Sequence, residues 1–203
     1  MKKTVTNIRH FNLAELEEYF EELGEKKFRA KQVYEWIWQK HAMSFADMTN
    51  LSKDLRQKLG ENFTLPSLST DATQFSSDGT IKSRFKTHDG HLIEGVLIPT
   101  KARFTACVSS QIGCSLSCKF CATGYIDRKR NLEFDEIYDQ VALINQQSEK
   151  TNGKKLSNIV FMGMGEPLLN YKNVLKSIER ITSPDGMAMS PKRITVSTAG
   201  VAK

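Results

Sequence analysis

The alternation of apolar and polar positions changes period along the chain. From Leu13, apolar residues recur at Leu16, Tyr19, Phe20 and Leu23, the spacing of one helix face. Asn12 stands at the N-cap position, Glu15 follows as in an N-x-x-E form of the capping box, and Gly24 supplies a stop. A second helix is predicted over about 29–40, with Ala30, Val33, Trp36 and Ile37 as its apolar face. Two shorter helices follow near 44–47 and 53–59, the last ending at Gly60. From about 63 to 109 the period is two. Residues 80–87 and 91–98 read as strands joined by His88-Asp89-Gly90, a hairpin turn, and 103–109 as a third strand. The helical period returns over 133–148, where Ile137, Val141 and Ile144 share a face. The short apolar run 156–162 is of the kind buried on both faces of a parallel sheet. A helix over 171–181 and a strand over 193–197 complete the reading. Strand, helix, strand, helix, strand after residue 103 implies a parallel sheet with right-handed crossovers. The expected class is α/β, with a small helical domain over 1–62, a β-strand extension over 63–102 and a parallel core over 103–203.

Composition narrows the setting. The 203 residues are 39% hydrophobic and 26% charged, as in a globular protein, and no run approaches the roughly 20 apolar residues of a membrane helix. Met1-Lys-Lys-Thr is basic but no apolar segment follows it, so no secretory signal is read there. The net charge of +6 suits a polyanionic partner and equally a soluble surface. Lys26, Lys27, Arg29 and Lys31 on the helical module, and Arg128, Lys129 and Arg130 further on, are candidates for phosphate contact; a solvated face and a helix entrance are the alternatives.

Three of the four cysteines crowd into Cys114-Ser-Leu-Ser-Cys118-Lys-Phe-Cys121, a C-x3-C-x2-C spacing. Iron–sulfur clusters are held by cysteine thiolates, and three of them on one loop leave one iron of a [4Fe–4S] cube without a protein ligand. An open iron suits catalysis better than simple electron transfer. A structural zinc site wants four N/S ligands; a second C-x2-C is absent and His91 lies far upstream. Buried, inert thiols would sit oddly beside Lys119 and two serines. Clustered cysteines without an export segment predict a reducing cytoplasm.

Three further features could carry chemistry. Glu94 interrupts the apolar run of 91–98, either as the water-facing position of an alternating strand or as a working acid. Cys107 stands outside the cysteine loop, as a core thiol or a redox-active one. Gly163-Met-Gly165-Glu166-Pro167 follows the run 156–162; its glycines permit close backbone approach, and Glu166 then stands at a strand's C-terminal end, where barrels of parallel strands carry their sites. Ser197-Thr198-Ala199-Gly200 offers hydroxyls at the next strand end.

The cysteine loop resembles the signature of the radical S-adenosylmethionine (SAM) superfamily. With Glu94-Gly-Val-Leu-Ile-Pro99, Cys107 to Cys114, Arg130-Asn-Leu132, Gly163 to Asn170 and Ser190 to Thr198, the chain is similar to the RlmN family of radical SAM ribosomal RNA adenine-C2 methyltransferases. The resemblance implies the first part of a radical SAM (β/α) barrel, with a helical domain and a β-hairpin extension before it. It implies that Cys114, Cys118 and Cys121 hold a [4Fe–4S] cluster and that Gly165, Glu166 and Ser197 bind SAM. Glu94 corresponds to the family's proton acceptor. Cys107 corresponds to a thiol that forms a transient disulfide with a methyl-carrying cysteine. Family substrates are an adenine of large-subunit ribosomal RNA and one of tRNA; an electron donor such as flavodoxin or ferredoxin, and a monomeric state, are also implied. The family's methyl-carrying cysteine lies near its C-terminus, and no cysteine follows Cys121 here. The expectation is that these residues correspond to an N-terminal portion that does not methylate RNA unaided. A zinc-dependent, non-enzymatic RNA-binding module and another radical SAM RNA-modifying enzyme are the competing readings.

Overall fold

The computed structural model describes residues 6–201, which divide into two compact units, one running to Pro66 with 185–187 added, the other holding the remainder. In the first unit, β1 (Thr6–Asn7) pairs in parallel with β2 (Phe63–Thr64), bracketing three helices. The first, α1 (Leu13–Glu22), begins with the full capping box: Glu15 N donates to Asn12 Oδ1 at 3.0 Å and Asn12 N donates to Glu15 Oε2 at 2.7 Å. The second, α2 (Lys27–Trp38), starts two residues earlier than its periodicity suggests and buries Tyr34 and Trp38 along with Ala30, Val33 and Ile37. Trp36 is not on the core face; it is half-exposed and donates its indole N–H to Asn50 Oδ1 at 2.6 Å. The third, α3 (Lys53–Asn62), runs through Gly60 rather than stopping there. Leu16, Phe20, Val33, Ile37, Met48, Leu55 and Leu59 form the core, and Tyr19 meets Phe63 edge-on at 4.7 Å between centroids.

The second unit is built on a six-stranded sheet. In chain order its strands are β3 (Ser69–Phe75), β4 (Ile81–Lys86), β5 (Leu92–Pro99), β6 (Phe104–Cys107), β9 (Asn158–Phe161) and β10 (Ile194–Val196). A separate two-stranded ladder joins β7 (Gln111–Ile112) to β8 (Arg130–Asn131). The spatial order is β10-β9-β6-β5-β4-β3, parallel across β10-β9-β6 and antiparallel from β6 to β3. Helices α4 (Phe134–Asn152) and α5 (Tyr171–Thr182) make the two crossovers that return the chain to parallel strands. The strands of 69–102 are thus continuous with the core sheet, with β3 an additional edge strand, whereas β2 at 63–64 belongs to the helical unit.

Register gives the sheet two unlike faces. Ile93, Gly95, Leu97, Ala106, Ile159 and Phe161 are buried, with a Cβ at Gly95 meeting Ile144 of α4 at 3.0 Å. The alternate positions Glu94, Val96, Cys107 and Val160 are only partly covered and share the opposite face through the Val96↔Cys107 and Cys107↔Val160 pairs. For this reason β9 is not buried on both sides: its pattern alternates, and Met162 beyond it is 56% exposed. Among the described residues no helix is long and apolar enough to cross a membrane.

Candidate functional site

Parallel strands β6, β9 and β10 deliver three loops to the same edge of the sheet. The first carries the cysteines. It leaves β7 at Gly113, whose φ of +72° and contact with the Asp127 backbone leave no space for a Cβ. Cys114 N donates to Ile126 O at 3.2 Å and Lys129 N to Ile112 O at 2.8 Å, so the loop is pinched at its neck by β7, β8 and these flanking bonds. Within it, Cys121 N bonds Cys118 O at 3.0 Å and Gly124 N bonds Cys121 O at 2.9 Å; a side chain at Gly124 would strike the Cys118 backbone. Cys114, Cys118 and Cys121 are half-buried free thiols, and Cys114 Sγ accepts the Leu116 N–H at 3.4 Å.

The second loop follows β9. Gly163 N donates to Val108 O at 3.0 Å, Met164 N to Ser109 Oγ at 2.9 Å, and Ser110 N to Met164 O at 2.8 Å. Gly165 has φ +91°, and a Cβ there would lie 2.5 Å from the Gln111 side chain. Glu166 is buried. Its N–H donates to Gln111 Oε1 at 2.9 Å, while its carboxylate accepts from Leu168 N at 2.9 Å, Thr198 Oγ1 at 2.7 Å and Ala199 N at 2.8 Å. Burial pushes this carboxyl upward, but the three donated bonds outweigh it and hold the group below its ordinary value. Glu166 therefore joins the second loop to the third, where Ser197 lies exposed beside the bonded Thr198.

Glu94 and Cys107 occupy the open face near this edge. Glu94 Oε1 lies 2.7 Å from Lys82 Nζ, both side chains being about half exposed. Cys107 is part-buried; burial raises its thiol above the ordinary value, partly offset by a hydrogen bond from the Met162 backbone. The basic run is not a free cationic patch. Arg130 forks onto Asp89 at 2.7 and 2.9 Å and onto Glu136 at 2.7 and 2.8 Å, and Arg128 donates to Asn131 Oδ1 at 2.9 Å. On the helical module Lys27 pairs with Glu21 at 3.3 Å and Lys31 with Glu17 at 3.9 Å.

Sequence reasoning passed over the polar residues that hold these loops. Ser109 N donates to Gln140 Oε1 at 2.8 Å and Gln140 Nε2 donates to Ser109 O at 3.0 Å; the Ser109 hydroxyl donates to Glu94 O at 2.6 Å. Gln111 reaches Asn131 at 2.7 Å, and Asn170 donates to Ser110 O and Leu132 O at 2.7 and 2.8 Å. Gln140 was signalled by its place in the Ile137, Val141, Ile144 stripe, where an apolar residue belongs.

Donor chemistry tests the fit to a cofactor. Among the described residues the group of three metal-ligand atoms within 4.8 Å of one another is His88, Asp89 and Glu136, and Arg130 already fills its carboxylates. Cys114, Cys118 and Cys121 supply three thiols, one donor short of the four that a structural zinc takes. Three thiols on one loop fit the corners of a larger cluster.

Two family models match, "Ribosomal RNA large subunit methyltransferase N-terminal domain" over residues 6–65 and "Radical SAM superfamily" over 108–203. A protein of Cytophaga hutchinsonii, named as a probable dual-specificity RNA methyltransferase RlmN, is 59% identical over 97% of this chain and 54% of its own length. What the chain matches along its length is the RlmN family. An RlmN relative of Christiangramia forsetii is 57% identical over the whole chain and 58% of its own length. The crystal structure of a radical SAM methyltransferase from Sphaerobacter thermophilus superimposes with a TM-score of 0.87 at 38% identity, over 97% of this chain and 57% of that one. The chain thus spans little more than half the length of the curated RlmN relatives it matches. The match to the radical SAM superfamily implies SAM and a [4Fe–4S] cluster as cofactors.

Proposed function

We propose that these residues form the N-terminal domain and the cluster- and SAM-binding half of a dual-specificity adenine-C2 methyltransferase acting on large-subunit ribosomal RNA and tRNA. The observation that carries the reading is the convergence of the cysteine loop, Glu166 and the Thr198–Ala199 turn on one sheet edge, beside a face bearing Glu94 and Cys107. Cys114, Cys118 and Cys121 hold the cluster. When bound, the cluster supplies an open iron for SAM and the electron that cleaves it. Gly165 lets the backbone approach SAM, the Glu166 carboxylate takes its ammonium group, and Ser197 meets it from the third loop. Glu94, oriented by Lys82, accepts the proton released from adenine C2. Cys107, kept as a thiol by burial, serves the thiol–disulfide step with the methyl-carrying cysteine of the family, which is not among these 203 residues. Residues 1–62 offer their basic helices to RNA, 63–102 bring Glu94, and 103–203 bring the cofactor loops. A flavodoxin- or ferredoxin-type donor, a monomeric state and a cytoplasmic setting complete the proposal.

Anaerobic reconstitution with iron and sulfide tests it. The expected product is brown, carries about four irons per chain, and changes its electron paramagnetic resonance spectrum on adding SAM. Cys118→Ala should stay colourless with the helical unit folded. A single tightly bound zinc in place of iron, or a cluster indifferent to SAM, would refute the assignment.

A further inference from the structure

We propose that Arg130 is a positioning residue that sets the neck of the cysteine loop for cluster binding, an inference that rests on the function proposed above. The cysteines lie within residues 113–129, closed by the Gln111↔Asn131 and Ile112↔Arg130 pairs. Backbone bonds from Ser110 N and Gln111 N to Met164 O, at 2.8 and 3.2 Å, anchor the first strand of this two-residue ladder to the second loop, while the side of the ladder facing the β4–β5 turn and α4 is held by Arg130. The Arg130 side chain fixes that second side by binding two separate elements. Its Nε and Nη2 grip Asp89 of the β4–β5 turn, where Thr87 Oγ1 also bonds the Asp89 carboxylate. Its Nη1 and Nη2 grip Glu136 in the first turn of α4, and Nη1 also donates to Asn131 O at 3.0 Å. Glu136 accepts the Glu133 N–H at 2.9 Å as well, so the same carboxylate caps α4 and receives the arginine. His88 Nδ1 stands 3.5 Å from Glu136, and His91 Nε2 stands 3.9 Å from Asp89, at the rim of the group.

Planar, doubly bidentate pairing fixes direction as well as distance, which a lysine cannot reproduce. The Glu136 side chain is 9% exposed and that of Arg130 27%, so water competes weakly for these bonds. A loop whose roots are held leaves its thiols less conformational freedom to lose when they close on a cluster. Partners outside the ligand set commonly alter metal affinity by about 10-fold to 100-fold when changed.

The test compares reconstituted wild type, Arg130→Lys, Arg130→Gln and Asp89→Asn in iron and sulfide content, rate of cluster loss to a chelator, and SAM-induced spectral change. Both Arg130 variants should keep the wild-type far-ultraviolet circular dichroism, lose the cluster roughly tenfold faster, and show a broadened spectrum with SAM. Asp89→Asn should fall between. Variants matching wild type in loss rate and SAM response refute the inference alone. A wild type that takes up no cluster refutes the proposed function and this inference with it. Should Arg130→Gln fail to fold, a wild-type loss rate in Asp89→Asn refutes the clamp.

Discussion

Gln140→Leu is the sharpest probe of the loop scaffold. The substitution keeps the side-chain volume nearly constant and removes both halves of the amide. Gln140 is fully buried, and its amide satisfies the Ser109 N–H at 2.8 Å and the Ser109 carbonyl at 3.0 Å. Stranding a buried polar group costs about 1–3 kcal/mol, so two cost roughly 2–6 kcal/mol. Burying leucine in place of the amide returns about 1–2 kcal/mol. The net loss is about 3 kcal/mol, a factor of roughly 100 in the local opening equilibrium. Both tryptophans, Trp36 and Trp38, belong to the helical unit, so their fluorescence does not report this region. Amide hydrogen exchange read by mass spectrometry does. Protection at Val108 to Gln111 should fall about 100-fold, and at Gly163 and Met164 too, because Ser109 Oγ accepts the Met164 N–H and donates to Glu94 O. Protection within about threefold of wild type at all these amides, in a folded variant, would refute the view that Gln140 carries the scaffold.

The remaining predictions concern backbone and charge. Gly165→Ala places a Cβ at φ +91° against the Gln111 side chain, which in turn holds Glu166 N; it should cost about 2–3 kcal/mol and weaken SAM binding to the reconstituted protein in calorimetry. His41 is held down to about 4 by burial and, secondarily, by the charge of Arg9. Below its unfolded value of about 6.5 the unfolded chain takes up the proton first, so stability of the helical unit should fall as pH drops from there toward 4. The loss is at most about 3 kcal/mol before solvent screening, read by tryptophan fluorescence in denaturant titrations. His41→Asn, which tolerates the φ of +54°, should flatten that acid dependence, and an unchanged slope would count against it.

What the sequence made legible was local chemistry. The Asn12 and Glu15 box, the His88-Asp89-Gly90 turn and the apolar stripe of α4 each depend on neighbours within a few residues. The three loops could be placed in sequence because strands and helices alternate around them. Strand β3 was not legible, because as an exposed edge, Ser-Thr-Asp-Ala-Thr-Gln-Phe buries no side and so shows no alternation. Trp36 lies off the expected core face, where Asn50, fourteen residues away, takes its indole N–H, and Trp38 is buried in the core. The Arg128-Lys129-Arg130 run looked like a cationic patch, since Asp89 and Glu136 approach it only in three dimensions. The same holds for Gln111 and Asn170, whose roles depend on loops that pairing brings together.

Strand β5 runs opposite to β6, so its beginning, not its end, arrives at the rim where the parallel strands finish. A parallel neighbour would need a long crossover to contribute a side chain there, and any change in that crossover would disturb the layer of helices. The hairpin does it with a tight turn. The same turn carries Asp89, whose carboxylate grips Arg130 at the neck of the cysteine loop, so its length and composition are tied to that loop. Glu94 thus arrives at the rim on a short return strand that is fastened at its entry through Asp89 and at its own carbonyl through Ser109, so the rim and the cysteine loop move as one piece.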